Sequence, residues 1–158
     1  YLLFSIGSSP AQNICTFSLK PMPIFNKDSY DRCDSKAKEV LRKYLDSKGI
    51  LTKVYEDYGP DIQALHQYFH EVEIKSSWED EWPPHWKTLH IPARKKKYLK
   101  GGKKGFFWVK NKSCTKAKLV ESKDLDDDYL EIIPNRRYPK GEYFYDIPIH
   151  LTTEIDIT

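Results

Sequence analysis

Residues 67–75 read Gln-Tyr-Phe-His-Glu-Val-Glu-Ile-Lys, and a period of two divides them into two faces. Tyr68, His70, Val72 and Ile74 fall on one face; Phe69, Glu71, Glu73 and Lys75 fall on the other. The β-branched Val72 and Ile74 suit a core-facing strand. The opposite face then carries two carboxylates and an ammonium in a row, each about 7 Å from the next. Upstream the period lengthens. Ala37, Val40, Leu41, Tyr44 and Leu45 form an apolar stripe at helical spacing. The predicted helix is capped by Asp34 or Ser35, runs to about Lys48 and is closed by Gly49.

Residues 50–57 read as a strand, and residues 61–65 as the start of an antiparallel neighbour after the Gly59-Pro60 turn. Residues 93–99 suit a short second helix ending before Gly101-Gly102. Residues 106–109 and 117–120 read as strands joined across Asn111-Lys-Ser-Cys114. Residues 143–148 and 149–157 suit edge strands that cover the core or pair with a second subunit. The sum is one α/β (α+β) domain with a central mixed β-sheet flanked by helices. Residues 1–33 form a mostly irregular N-terminal arm, 34–121 the core, and 122–158 C-terminal strands completing the same domain. Within the arm, Tyr1-Leu-Leu-Phe-Ser-Ile6 is apolar with no basic n-region, and is expected as a short strand or packing arm.

Asp61 stands in the turn just before the second strand, and Glu73 and Lys75 alternate on the third. Hard divalent cations such as Mg²⁺ take carboxylates plus waters, with few protein ligands. A metal so held lowers the pKa of its water and offsets charge building on a phosphoryl group. An ammonium beside it orients the attacking water or stabilises the transition state. Asp61 and Glu73 are the expected metal ligands, with Lys75 in the cationic role.

In this arrangement, Pro60-Asp61 followed by Glu73-Ile74-Lys75, the chain resembles the PD-(D/E)xK nuclease superfamily. The match covers about residues 34–121. The resemblance implies a restriction-endonuclease-like core: a helix, a strand meander carrying the motif, a helix and a further strand. It also implies metal-dependent hydrolysis of phosphodiester bonds in DNA, with Mg²⁺ as cofactor (Mn²⁺ able to substitute) and the backbone carbonyl of Ile74 as a further ligand. An acid on the first helix joins the metal site in several relatives, which makes Glu39 a candidate; Glu56 and Glu71 are additional acids. The competing account is structural, because charges alternating on a solvated sheet face and an aspartate in a Gly-Pro turn need no catalytic role.

Residues 91–110 contain Arg94, Lys95, Lys96, Lys97, Lys100, Lys103, Lys104 and Lys110 and no acid. Arg94 through Lys104 would form a phosphate track, each phosphate neutralised adding about −0.9 to the slope of log K against log salt. No base-reading element accompanies it. A non-catalytic nucleic-acid-binding domain using this segment, or an RNA-directed nuclease, are the alternatives. Trp78, Trp82 and Trp86 lie in an acidic loop where they either stack on unpaired bases or cover the edge of the domain.

Composition narrows little further. The 158 residues fit one domain, and 26 basic against 23 acidic residues give no strong call for a polyanion. Aromatics at 14% suffice for a packed core despite 31% charged residues. No apolar run approaches the roughly 20 residues of a membrane helix. Cys15, Cys33 and Cys114 are widely spaced and form no metal or redox pair motif, which favours a reducing, intracellular setting, cytoplasmic or inside the host of a phage or virus. His66 and His70 are four apart, but on a strand that spacing makes no zinc pair. A homodimer through the C-terminal strands remains open.

Overall fold

A computed structural model describes residues 27–50, 52–54, 60–64, 68–99, 102–135 and 138–157. The N-terminal arm through residue 26, Glu56 and Lys100 therefore lie outside the described residues. The architecture is α+β with a mixed central sheet.

Helix α1 spans Lys27–Ser47, seven residues further back than the expected cap at Asp34. Asp34 sits inside the helix and pairs with Lys38 one turn on, instead of accepting from orphan amides at a helix start. The other end follows expectation: Gly49 has φ +75°, and Ile50 N–H donates to the Leu45 carbonyl at 3.0 Å in a Schellman closure. Ala37, Leu41 and Leu45 are buried at intervals of one turn.

Among the described residues nine strands follow: β1 Thr52–Val54, β2 Ile62–Ala64, β3 Tyr68–Ile74, β4 Thr88–Pro92, β5 Lys104–Lys110, β6 Lys116–Glu121, β7 Leu130–Ile133, β8 Glu142–Pro148 and β9 Thr153–Asp156. Six make the central sheet in the order β1-β2-β3-β5-β6-β9. β1, β2 and β3 form an antiparallel meander; β3 and β5 run parallel; β6 and β9 return antiparallel. A second sheet, β4-β8-β7, is wholly antiparallel. The link from β3 to β5 carries β4 and a 3-10 helix, Ala93–Leu99, where a short helix was expected.

The layers explain where the core sits. α1 packs on one face of the central sheet, over Val72, Trp108 and Ala117. The second sheet covers the other face, bringing Leu89, Ile91, Tyr145 and Ile147 against Phe69, Phe107, Val109 and Val120. β3 is thus buried on both faces, as a strand in a parallel pair tends to be. The strand's charged face is solvated only toward its end: Glu71 is only 5% exposed, whereas Glu73 is exposed. The C-terminal strands divide: β9 extends the central sheet, and β8 is the middle of the second.

Between β5 and β6, buried Asn111 holds the turn by accepting from Thr115 and Lys116 N–H and donating to the Glu79 carbonyl. The three tryptophans cover the edge of the domain. Trp78 is fully buried, Trp78–Trp82 and Trp82–Trp86 meet edge to face at 5.1 and 5.2 Å, and the Trp82 indole donates to the Trp86 carbonyl. His70 is a core histidine, accepting from the Trp108 indole through Nδ1 at 3.0 Å. Burial pushes its pKa down to about 4. No helix among the described residues is long and apolar enough to cross a membrane.

Candidate active site

The register of β2 on β3 decides which acids meet. Ile62 pairs with His70, so one step further out Asp61 stands across from Glu71 and not from Glu73. Two hydrogen bonds fix the pairing. Asp61 N–H donates to Glu71 Oε1 at 3.1 Å, and Val72 N–H donates to Asp61 Oδ2 at 2.8 Å.

Each carboxylate also meets a lysine. Lys38 of α1 bridges Asp61 at 3.0 Å and Asp34 at 2.8 Å. Lys95 of the 3-10 helix reaches Glu71 Oε2 at 2.9 Å. Burial pushes the Glu71 carboxyl above the usual range, and the Asp61 charge adds to this against the pull of Lys95. Burial works against the charge on Lys95 too, but Glu71, Glu73 and Asp61 outweigh it and raise its pKa. A buried carboxyl held between a like and an unlike charge is the environment found at functional sites.

Asp34, Asp61, Glu71 and Lys95 line a cleft of about 540 Å³ together with Glu73, Ile74, Arg94, Lys97 and Tyr98. Three residues per turn in the 3-10 helix put Arg94 over Lys97 and Lys95 over Tyr98, and both rows face the cleft. The third row leaves it: Lys96 pairs with Asp127 at 2.9 Å and lies over the Tyr145 ring. The expected phosphate track is thereby divided. Arg94 pairs with Glu142, Lys95 with Glu71 and Lys96 with Asp127, while Lys97, Lys103 and Lys104 are exposed.

The other expected residues are placed as follows. Glu73 is exposed at the cleft, and Ile74 is half-buried beside it. The Lys75 ammonium lies over the Trp86 ring, 5.2 Å from its centre, and Lys75 is not among the residues lining the cleft. Glu39 stays on the outer side of α1, bound to Arg42 and Lys43. Its neighbour Lys38 is the residue of that helix that reaches Asp61. Lys38 was not singled out from sequence and Asp34 only as a helix cap, although their i,i+4 spacing was readable.

Mg²⁺ is commonly held by one or two carboxylates with several waters retained. Asp61 and Glu71 supply that number, and their oxygens face Lys38, Lys95 and two backbone amides. Among the described residues no group of three or more His, Cys, Asp or Glu is gathered closely enough to hold a metal. A metal here would thus rest on two carboxylates, with the lysines giving way. No protein-family model, curated protein or solved structure matches the chain.

Proposed function

We propose that this protein is a metal-dependent nuclease hydrolysing phosphodiester bonds in DNA, with RNA as the alternative substrate. The observation that carries the reading is the meeting of Asp61, Glu71 and Lys95 in a cleft rimmed by Arg94 and Lys97. The order of elements is compatible with it: a helix and a three-strand meander bearing the acids, then β4, a 3-10 helix and a strand parallel to β3. In this assignment Asp61 and Glu71 hold Mg²⁺ or Mn²⁺, which when bound would activate water and neutralise phosphoryl charge. Lys95 orients the attacking water or stabilises charge on the phosphoryl oxygens. Glu73, exposed at the same cleft, is the further acid.

The site differs from the linear motif by one alternation of the strand. Glu71 takes the place expected of Glu73, and a lysine from another element takes the place of Lys75. The test is oligonucleotide cleavage with Mg²⁺ or Mn²⁺ by wild type, Asp61→Ala, Lys95→Ala and Lys75→Ala. Asp61→Ala and Lys95→Ala are expected to abolish cleavage and Lys75→Ala to preserve most of it. Loss with Lys75→Ala alone would return the site to Glu73 and Lys75.

The second reading is a non-catalytic nucleic-acid-binding domain. It is favoured by the lysines that already neutralise both carboxylates. Binding without cleavage under any divalent metal would establish it.

A further inference from the structure

Beside the acid cleft lies a smaller hollow of about 200 Å³, lined by Pro60, Tyr68, Phe69, Lys97, Tyr98 and Lys103 among others. Its wall differs in kind from that of the cleft. Among the described residues no carboxylate lines it; its charges there are two exposed lysines, and its apolar surface is mostly aromatic rings. The two hollows share Lys97 and Tyr98, so one leads to the other across a single turn of the 3-10 helix. Pro60 and Phe69 tie the hollow to the acids more closely still, since Pro60 precedes Asp61 and Phe69 lies two residues before Glu71 on the same face of β3.

We infer that this hollow binds one unpaired nucleobase, and that the substrate is therefore single-stranded nucleic acid entering the cleft. The inference rests on the nuclease reading only for the identity of the neighbouring site. Rings and lysines without acids fit a nucleotide well: the base stacks on an aromatic wall and its phosphates meet ammonium groups. Tyr98 is held for this by its edge-to-face contact with Phe69, 5.7 Å between centres. The Lys97 ammonium rests over the Tyr98 ring at 4.8 Å. An entering base takes that ring face, and Lys97 moves to the phosphate. A hollow of this volume admits one base and excludes a stacked pair of strands.

The test is equilibrium binding in EDTA, read by fluorescence anisotropy, so that no cleavage is needed. A labelled single strand is compared with a blunt duplex of equal length and with single strands carrying one abasic residue. The single strand is expected to bind at least about tenfold more tightly than the duplex. A single abasic residue, placed in turn along a short strand, should weaken binding at one register only. Tyr98→Phe should bind as wild type does and Tyr98→Leu about tenfold more weakly. Lys103→Gln, at an exposed position, should flatten the salt slope by roughly 0.7 without touching the core. Equal binding of duplex and single strand, or no abasic register effect, would overturn the inference whatever the variants do. Single-strand binding without metal-dependent cleavage would leave it standing and defeat the nuclease reading. Preferential cleavage of duplex would do the reverse.

Discussion

Lys95 and Lys110 are both withdrawn from water, on opposite faces of the central sheet, and they behave oppositely. Lys110, on the α1 side, is fully buried and donates to the Ala37 carbonyl at 2.8 Å. Among the described residues no carboxylate is paired with it, and burial pushes its pKa down to about 8. Lys95 has Glu71 at 2.9 Å, with Glu73 and Asp61 adding to the field, and its pKa rises. Burial alone marks a lysine as part of the core. Burial beside acids, at a cleft, is what brings Lys95 into the proposed site.

The sharpest way to break this comparison is the same substitution at both positions. Lys95→Met leaves Glu71 buried without its counter-charge and should cost about 3–5 kcal/mol in urea unfolding. The double variant Glu71→Gln/Lys95→Met should recover much of that loss.

His70 gives the next effect. It is depressed by burial to about 4, so above its unfolded value its proton occupancy does not affect stability. As pH falls from about 6.5 to 4 the unfolded state takes up a proton that the folded state refuses. Stability should drop by about 3 kcal/mol over that window and then level off. The difference in unfolding free energy between wild type and His70→Gln, followed across that range, isolates the term.

Lys110→Met should act in the other direction from Lys95→Met. Its folded pKa lies below the unfolded value, so wild type carries the full cost of charging Lys110 below about pH 8. Set against the lost hydrogen bond to Ala37, removing the charge should stabilise by about 2 kcal/mol at pH 7. The gain should shrink as pH rises from about 8 through 10.5, where wild type no longer bears that cost. If Lys110→Met destabilises as much as Lys95→Met, the distinction between the two lysines fails. The smallest effect belongs to Lys75→Ala, which gives up a contact with the Trp86 ring and should cost less than about 1 kcal/mol by thermal unfolding.

Most of the central layer was legible from periodicity. The stripe Ala37–Leu41–Leu45 and the alternation of β3 follow from single-element patterns, and Gly49 closes its helix as glycine at that position does. The second sheet was legible only in its middle strand, β8, which was read as an edge strand. β4 is short, ends at Pro92 and follows a loop rich in tryptophan and proline; β7 has four residues after an acidic turn. Without that sheet, the competing structural account took the charged face of β3 as solvated.

The proposed site was legible in its residue types, but its assignment differs from the one expected. Choosing Glu71 over Glu73 depends on the register between β2 and β3, which no pattern within either strand encodes. Choosing Lys95 over Lys75 depends on a 3-10 spacing in the helix after β4 and on Trp86 lying next to Lys75. Both are properties of pairs of elements. Linear motifs report one element at a time.

The most direct test of the account is cleavage of a single-stranded oligonucleotide with Mn²⁺ by Glu71→Gln and by Glu73→Gln, each shown to be folded by its thermal transition. Glu71→Gln keeps the shape of the side chain beside Asp61, removes its charge and replaces one of its two acceptor oxygens by a donor. The account predicts that its rate falls about a hundredfold or more, while Glu73→Gln loses far less. Cleavage by Glu71→Gln at the wild-type rate would contradict it.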